Sequence, residues 1–350
     1  MKENLDIRPI IFWEGFPVCG LLLKQVLEFF PQSIVVATRP AVPFKGHDRL
    51  IGVKIHWLNH PDDIWLQRKS FEDRNLIVHT GWNHKGWLRF DSHMKRKFNA
   101  KVVVVVDNRF KKNIRQILGA FYFRLYLRRF FDAAFVPGYE GMRLMKFLGM
   151  PRSRVFCGNY GASEEVFFSY TSVVDRENQF LFVGQLIKRK GIPFLINAYK
   201  SYRSQGGKWK LRIIGDGPLK YLCEGDGIVL DNFMQPPEVN EAMNRSKVFV
   251  LPSIDEHWGT VICEAAACGN SLITTRYVGS SVDLVRHGIN GFELNSLNEK
   301  SLVNLFFHYE SLDNSSLQLA SDISINNSKA FNSSSYLLGF ISIVRACFAK

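Results

Sequence analysis

Two carboxylates in the second half of the chain have the types and the spacing best suited to chemistry. Glu256 and Glu264 are separated by seven residues, with the small pair Gly259-Thr260 between them. An apolar run at residues 247–251 precedes this stretch, and a helix-like run follows it. A strand, a polar loop and a helix in this order place ligand groups at the carboxyl edge of a parallel sheet. We therefore expect both acids to face one ligand, such as the vicinal hydroxyls of a sugar or a ribose.

Two other interpretations of this acidic pair stay open at this point. Acids near the start of a helix also complement its macrodipole, which needs no ligand. A metal site would need further ligands at suitable spacing, and His257 is the only neighbouring candidate. No metal is therefore expected.

Two further stretches of the second half could bind an anion. A predicted strand ends at Gly184-Gln185 and is followed by the basic run 188–191, in which Lys190 lies where strand gives way to helix. A lysine beside helix-start N–H groups suits a pyrophosphate, although a solvated basic cluster also explains the run. The turn Gly215-Asp216-Gly217-Pro218 lets a backbone approach a ligand closely, or is an ordinary turn with Pro218 opening a helix.

The first half offers weaker candidates. Residues 15–20, GFPVCG, precede a predicted helix and could hold a phosphate or an acceptor, but they lack the GxGxxG spacing of a dinucleotide site. His79 lies at the end of a predicted strand, and His84 follows five residues later. A lone histidine is more often structural than catalytic, so both interpretations of His79 are kept.

The elements that must position these residues alternate between strand and helix. The predicted strands cover residues 9–13, 33–38, 75–79, 101–106, 133–136, 179–183, 210–214, 228–230, 247–251 and 271–275. The predicted helices cover residues 21–30, 193–202, 237–246 and 336–348, and the Ser/Asn-rich residues 313–335 are predicted as a loop. Strands that alternate with helices indicate parallel sheets with helices on both faces.

The length of 350 residues favours two domains. We predict an α/β protein with two Rossmann-like, doubly wound domains facing across a cleft, a favoured place for a ligand. The predicted domains are residues 1–165, for an acceptor, and residues 166–330, for a nucleotide sugar. Residues 331–350 form a C-terminal helix that could return to the first domain.

The net charge of +13 is concentrated in the first half. Residues 1–170 hold 27 Lys/Arg and 15 Asp/Glu, which accounts for +12 of the total. A one-sided basic balance favours contact with an anionic membrane, a nucleic acid or a phosphorylated substrate. No run of 18 apolar residues and no signal-peptide core is present, and the six cysteines contain no CxxC pair. These features predict a cytoplasmic protein with reduced thiols.

Residues 109–130 carry seven of these basic residues among aromatic and aliphatic ones. An amphipathic basic helix of this kind can lie on an anionic leaflet, or it can pack on the sheet of its own domain. Mixed basic and aromatic residues also fit nucleic-acid binding, but no RNA- or DNA-binding motif accompanies them, so no nucleic-acid partner is expected.

Four segments of the second half resemble those of retaining glycosyltransferases of the GT-B fold, in the large group called family four. Their sequences are FLFVGQLIKRKG, LRIIGDGPLKYL, VFVLPSIDEHWGTVICEAAACG and VGSSVDLVRHGINGF, in the order and at the spacings of that family. Glu256 and Glu264 match the E-x7-E signature of the group.

The resemblance implies a role for each matched residue. Lys190 would bind the donor's pyrophosphate, Glu264 the ribose hydroxyls, and Glu256 the donor sugar together with the backbone N–H groups of Gly259, Thr260 and Val261. The residues that would line the rest of the nucleotide site are Gly184, Gln185, Gly215, Gly217 and Phe233. Gly15 and Gly20 would lie near the phosphates or the acceptor. The candidate catalytic residues are Glu256, Lys190 and His79.

Two residues depart from the family pattern. Gln185 stands where the family usually has an arginine, and Lys188 or Arg189 would have to supply the missing phosphate charge. Gly81 occupies the place of the second histidine of the motif that begins at His79.

The sequence thus predicts a metal-independent retaining hexosyltransferase that needs no cofactor. It would use a nucleotide sugar such as a UDP- or GDP-sugar and a lipid-linked, lipopolysaccharide or polysaccharide acceptor. Its location would be peripheral, on the inner face of the plasma membrane. Two alternatives remain: a nucleotide-sugar epimerase of similar fold, and a non-catalytic protein that binds sugar nucleotides or polyanions.

Overall fold

The computed structural model describes residues 6–15, 18–41, 43–46, 48 and 51–348. The chain divides into two compact units. The first comprises Met1–Gly161 and Asn332–Lys350, and the second comprises Ala162–Phe331. The C-terminal residues from 332 onward therefore cluster with the first unit.

The first unit is built on a parallel sheet with the order β3-β2-β1-β4-β5-β6-β7 within the described residues. Its strands are β1 (Pro9–Trp13), β2 (Ile34–Thr38), β3 (Ile55–Leu58), β4 (Leu76–Thr80), β5 (Lys101–Val105), β6 (Ala133–Val136) and β7 (Val155–Cys157). Its helices are α1 (Leu23–Phe29), α2 (Lys85–Phe98), α3 (Ile114–Tyr122), α4 (Tyr139–Leu148) and, from the C-terminal residues, α11 (Ser333–Phe348).

The core of the first unit follows from two sequence patterns. The consecutive valines 102–106 are buried on both faces of the sheet, as expected for a central parallel strand. Trp87, Phe90 and Met94 recur at helical spacing in α2 and bury one face of that helix. The helix ends at Asn99, which has a left-handed φ of 52°.

The second unit has a parallel sheet with the order β10-β9-β8-β11-β12-β13 in the described part of the chain. Its strands are β8 (Glu177–Val183), β9 (Lys210–Ile214), β10 (Ile228–Asp231), β11 (Ser246–Leu251), β12 (Ser271–Thr275) and β13 (Gly291–Leu294). Its helices are α5 (Ile192–Ser204), α6 (Pro236–Arg245), α7 (Thr260–Ala267), α8 (Ser281–Leu284), α9 (Glu299–Ser311) and α10 (Asn314–Ser328).

Both sheets follow the strand order of a Rossmann fold, in which the first strand lies beside the second and the fourth. The predicted α/β class with two Rossmann-like domains is confirmed. The arrangement of the domains across a cleft stays a prediction.

Two local expectations are wrong. Residues 314–328 form α10 instead of a loop. The sequence carries no strong apolar signal for this helix, because all but the first of its buried residues are small: Leu317, Ala320, Ser321, Ser324 and Ser328. The Asp313 side chain caps this helix by accepting a 2.8 Å hydrogen bond from the Ser316 N–H. Pro218 opens no α-helix, and only a 3-10 turn at Lys220–Leu222 follows it.

No helix among the described residues has both the length and the apolar character needed to cross a bilayer. Among the described side chains, those of Cys223, Cys263, Cys268 and Cys347 are free thiols.

Candidate functional site

The candidate site of the second unit lies at the carboxyl ends of β8 and β11. These two strands are neighbours in the sheet, and the strand order reverses direction between them. The loops that leave such strands turn to opposite faces of a parallel sheet, which opens a crevice that ligands commonly occupy. Lys190 follows β8 and Glu256 follows β11, so the fold brings the two predicted residues to this point.

An ion pair joins the two loops. The Lys190 ammonium donates to Glu256 Oε2 at 2.5 Å, and both side chains are largely buried. The same oxygen accepts a 3.1 Å hydrogen bond from the Arg189 guanidinium, which also donates to the Asp255 carbonyl at 2.8 Å. Glu256 is therefore shared by two cations. Sequence reasoning named Arg189 only as a substitute phosphate ligand and missed its bond to Glu256.

A glycine makes this close approach of the loops feasible. Lys190 ends a 3-10 turn, and Gly191 follows it with a left-handed φ of 75°. A Cβ at Gly191 would lie 2.0 Å from the carbonyl oxygen of Pro252, which belongs to the Glu256 loop. Any side chain here would therefore separate the Lys190 turn from the Glu256 loop.

A second close approach joins the ends of β8 and β9. A Cβ at Gly215 would lie 1.9 Å from the Gly184 carbonyl oxygen, and the Gly184 N–H donates to the Ile214 carbonyl at 3.0 Å. Gly217 follows beside the Leu186 backbone. The glycines predicted to line the nucleotide site thus lie on two loops, after β8 and after β9, whose backbones are in contact at one edge of the sheet.

The loop that follows β12 holds the backbone of Glu256. The Glu256 N–H donates to the Tyr277 carbonyl at 3.0 Å, and the Glu256 carbonyl accepts a 3.2 Å hydrogen bond from the Gly279 N–H. Sequence reasoning missed this support, because it depends on β12 lying beside β11. The signal that could have located it is the Gly279-Ser280 pair just after a predicted strand.

The start of α7 brings backbone donors to the same loop. Gly259 is the N-cap residue, with a φ of 88° and no side-chain cap, and the first turn contains no acidic residue. Its Cα approaches the Glu256 side chain so closely that a Cβ would lie 3.2 Å from Glu256 Cγ. Thr260 and Val261 begin the helix, whose positive dipole end suits an anionic or strongly polar ligand group.

Glu264 is the fifth residue of α7 and is buried. Burial raises the pKa of Glu264 to about 8, and the nearby positive charge of Lys190 opposes this rise. Lys190 therefore acts on both acids, through a direct bond to Glu256 and through the field at Glu264. The structure brings these three predicted residues together.

The far end of α7 is fixed by a buried arginine. The Arg176 guanidinium donates to the carbonyl oxygens of Cys268 at 2.9 Å, Gly269 at 3.2 Å and Ser246 at 3.4 Å. Burial lowers the pKa of Arg176 from its ordinary value. A cation at the carboxyl end of a helix satisfies its last carbonyls and complements its dipole.

Two other residues that were predicted to bind the nucleotide lie at the same sheet edge but outside the cluster of Lys190, Glu256 and Glu264. Gln185 follows β8 and is exposed, and Phe233 follows β10 and is half-buried. Within the described residues, no group of three or more His, Cys, Asp or Glu side chains gathers in a way that could hold a metal ion.

The placement of His79 corrects the expectation of an accessible catalytic residue. His79 lies inside β4, one residue before its end, and its side chain is 1% exposed. Its ring bonds to Asp91 at 3.0 Å and stacks on Trp87 at a centroid distance of 5.2 Å. Burial raises the pKa of Asp91 above its ordinary value, against the opposing effect of His79. The histidine is a core residue with a polar partner, and a substrate cannot reach it in this position.

The predicted glycine loop of the first unit is described only in part. Gly15 has a φ of 66°, and its N–H donates to the Thr38 hydroxyl at 2.7 Å. Gly20 is buried in a 3-10 turn, Val18–Leu22. Residues 16 and 17 lie outside the described residues, as do the side chains of residues 18 and 19.

Comparison with known proteins finds a family match for most of the second unit. Residues 164–323 match the family model for glycosyl transferases group 1. The second unit is therefore similar to group 1 glycosyltransferase domains over these residues. It contains Lys190, Glu256 and Glu264.

The similarity to curated glycosyltransferases extends over only part of this chain and part of each relative. An uncharacterized glycosyltransferase of Methanocaldococcus jannaschii is 31% identical over 138 residues, which are 37% of this chain and 35% of that protein. The capsular polysaccharide biosynthesis glycosyltransferase CapM of Staphylococcus aureus is 32% identical over 120 residues, 32% of this chain and 31% of CapM. The chain thus spans about a third of the length of these two relatives.

A solved structure matches the fold over nearly the whole chain. The crystal structure of Anabaena HepE in complex with UDP and glucose superposes with a TM-score of 0.76 and 14% identity, covering 97% of this chain and 99% of HepE. At this identity the match shows the fold alone, which is that of GT-B glycosyltransferases.

Proposed function

We propose that the protein is a glycosyltransferase that moves a hexose from a nucleoside diphosphate sugar to a saccharide or lipid-linked acceptor. The observation that carries this proposal is the convergence of Lys190, Glu256 and Glu264 at the sheet edge where the strand order reverses. The similarity to CapM supports a polysaccharide or lipopolysaccharide acceptor. The fold shared with HepE, whose crystal structure holds UDP and glucose, supports a UDP-sugar as donor.

The proposed reaction follows from where charge develops. The bond between the anomeric carbon and the phosphate oxygen breaks, and its electron pair leaves with the nucleoside diphosphate. Lys190 and the first N–H groups of α7 stabilise this anion, which forms in a largely dehydrated place. The acceptor hydroxyl bonds to the anomeric carbon from the same face, with retention, and its proton passes to the leaving phosphate.

Because Lys190 and Arg189 both bond to Glu256, binding of the nucleotide sugar requires an exchange of hydrogen-bond partners. In the free protein the Lys190 ammonium is held by Glu256, so a pyrophosphate must compete for it. Arg189 bonds to the same carboxylate oxygen and keeps it in place when Lys190 turns to the phosphates. Glu256 is then free at its other oxygen to hold the hydroxyls of the donor sugar.

The proposed location is cytoplasmic, on the inner face of the plasma membrane, where a lipid-linked acceptor is available. The proposed reaction needs no metal and no cofactor, because the anion is met by Lys190 and a helix N-terminus.

A thermal-shift panel and a transfer assay test the proposal together. A UDP- or GDP-sugar is expected to raise the melting temperature, since a ligand of the native state stabilises it. Lys190→Met should abolish this rise, whereas Glu256→Ala should keep most of it and lower transfer about 100-fold or more. Glu241→Gln, on an exposed face of α6, is the control and should change neither.

Four results would contradict the proposal. The absence of a shift with any nucleotide sugar removes the donor site. Conversion of the donor without an acceptor indicates an epimerase. Equal loss of nucleotide binding and transfer in Glu256→Ala, or binding with no transfer at all, favours a binding protein.

A further inference from the structure

The segment that contains α3 has apolar residues on both of its sides. On the inner side, Ala120, Phe123 and Leu127 are buried in the core of the first unit. On the outer side, the large apolar residues are more than half exposed, and we call them the outer face: Ile114, Leu118, Phe121, Tyr122, Leu125 and Tyr126. The inner side fixes the segment to the sheet, and the outer face lies in solvent.

The backbone keeps this outer face continuous. The α-helix runs from Ile114 to Tyr122 and passes into a π turn, Phe123–Leu127, and a 3-10 turn, Arg128–Phe130. Ile114, Leu118 and Leu125 recur at spacings of four and seven, so they share one side of the segment. Apolar patches of this kind on a folded protein mark an interaction site.

The charges of the segment indicate which partner covers the outer face. Residues 109–131 contain seven Lys/Arg and no Asp/Glu, and Arg115, Arg128 and Arg129 are exposed beside the outer face. A second copy of this chain would bring like charges together. An anionic lipid surface instead takes the basic side chains at its headgroups and the apolar side chains below them.

We propose that the outer face of residues 114–126 inserts into the surface of an anionic bilayer. This inference rests on the proposed membrane location and deepens it, because it assigns the binding to apolar insertion rather than to charge alone. The Arg124 guanidinium donates to the Phe147 carbonyl at 2.8 Å, which fixes its position and leaves its positive charge available to the leaflet. Basic residues attract the protein to the leaflet, and the apolar side chains hold it there.

The test uses flotation of the full chain with vesicles. Vesicles of phosphatidylcholine containing about a quarter phosphatidylglycerol are compared at about 0.1 M and about 1 M NaCl, because high salt screens charges but not insertion. Leu118→Ser/Leu125→Ser is expected to weaken partitioning about 10-fold or more at both salt concentrations. The matched control Leu319→Ser/Leu338→Ser removes leucines that are 61% and 64% exposed, against 65% and 69%, and should bind as wild type does.

The same experiment separates failure of this inference from failure of the proposed function. The thermal shift with a nucleotide sugar does not involve the outer face, so Leu118→Ser/Leu125→Ser should retain it. Wild-type protein that does not float, a leucine variant that floats as wild type does, or complete release at high salt would each overturn the insertion. A wild-type dimer that the leucine variant dissociates, without vesicle binding, would assign the outer face to self-association instead.

Discussion

Replacing Glu264 by glutamine is expected to remove a loss of stability that the protein undergoes as pH rises. The pKa of this carboxyl is 4.5 in its ordinary setting and about 8 in the fold, where burial raises it. The folded protein therefore keeps the proton over a range in which the unfolded chain releases it. The stability that comes from the neutral form is fully present below pH 4.5 and is lost as pH rises through about 8.

The size of the effect follows from the two pKa values. A pKa difference of one corresponds to ~1.4 kcal/mol, so the change from 4.5 to about 8 lowers the free energy of unfolding by on the order of 5 kcal/mol. In a domain of this size, 1 kcal/mol moves the melting temperature by roughly 2–4 °C. Glu264→Gln keeps the shape and carries no titrating proton. Its melting temperature should match that of wild type near pH 4.5 and exceed it by on the order of 10 °C above about pH 8.

Circular-dichroism melts of ligand-free protein at steps between pH 5 and pH 9 measure this difference. Glu241→Gln removes an exposed carboxylate from the same unit and is expected to melt in parallel with wild type at every pH. Parallel curves for wild type and Glu264→Gln would refute the reasoning, because they would mean that the buried carboxyl ionises in the folded protein as readily as in the unfolded chain.

Three further substitutions, with Gly206→Ala as the control for the first, test the packing of the two units. Gly191→Ala places a Cβ 2.0 Å from a carbonyl oxygen and should cost about 3 kcal/mol or more in urea unfolding. Gly206→Ala, at φ 93° with open space, isolates the backbone strain and should cost about 1 kcal/mol; equal losses would exclude the clash. Arg176→Met leaves buried carbonyls unpaired and should lower stability by about 3 kcal/mol, with an unchanged melt as the contrary result. Asp91→Ala removes the carboxylate that bonds to the buried His79 ring and should lower the free energy of unfolding by about 2 kcal/mol. Unchanged stability would show that the pair is dispensable.

Strands of both units were predictable from the sequence, and Pro9–Trp13 and Ala133–Val136 of the first unit have the predicted bounds. Lys210–Ile214 and Ser271–Thr275 have the predicted bounds, because each is a short apolar run closed by glycine or polar residues. Asn314–Ser328 was not predictable in this way. Its buried face is lined with serines, which pack closely against neighbouring elements but give no apolar period in the sequence.

The candidate site shows the same division between local and distant information. The spacing of Glu256 and Glu264 and the position of Lys190 are local, and strand order then places them together. The bond between Arg189 and Glu256 joins residues 67 positions apart, and no local pattern encodes it. His79 was misjudged because its strand ends one residue later than predicted, at Thr80, and its ring packs on Trp87 and Asp91 of α2 instead of lying at the open edge of the sheet.

The grip of Arg176 on the carboxyl end of α7 has a consequence for how a ligand can be accommodated. The helix is tethered at its rear, while its front presents Gly259 and its middle carries Glu264. It cannot slide along its axis without breaking buried hydrogen bonds of a charged group, each worth roughly 1.5–3 kcal/mol. We therefore expect induced fit in the second unit to come from the short turns around Lys190 and Glu256, while α7 stays in place.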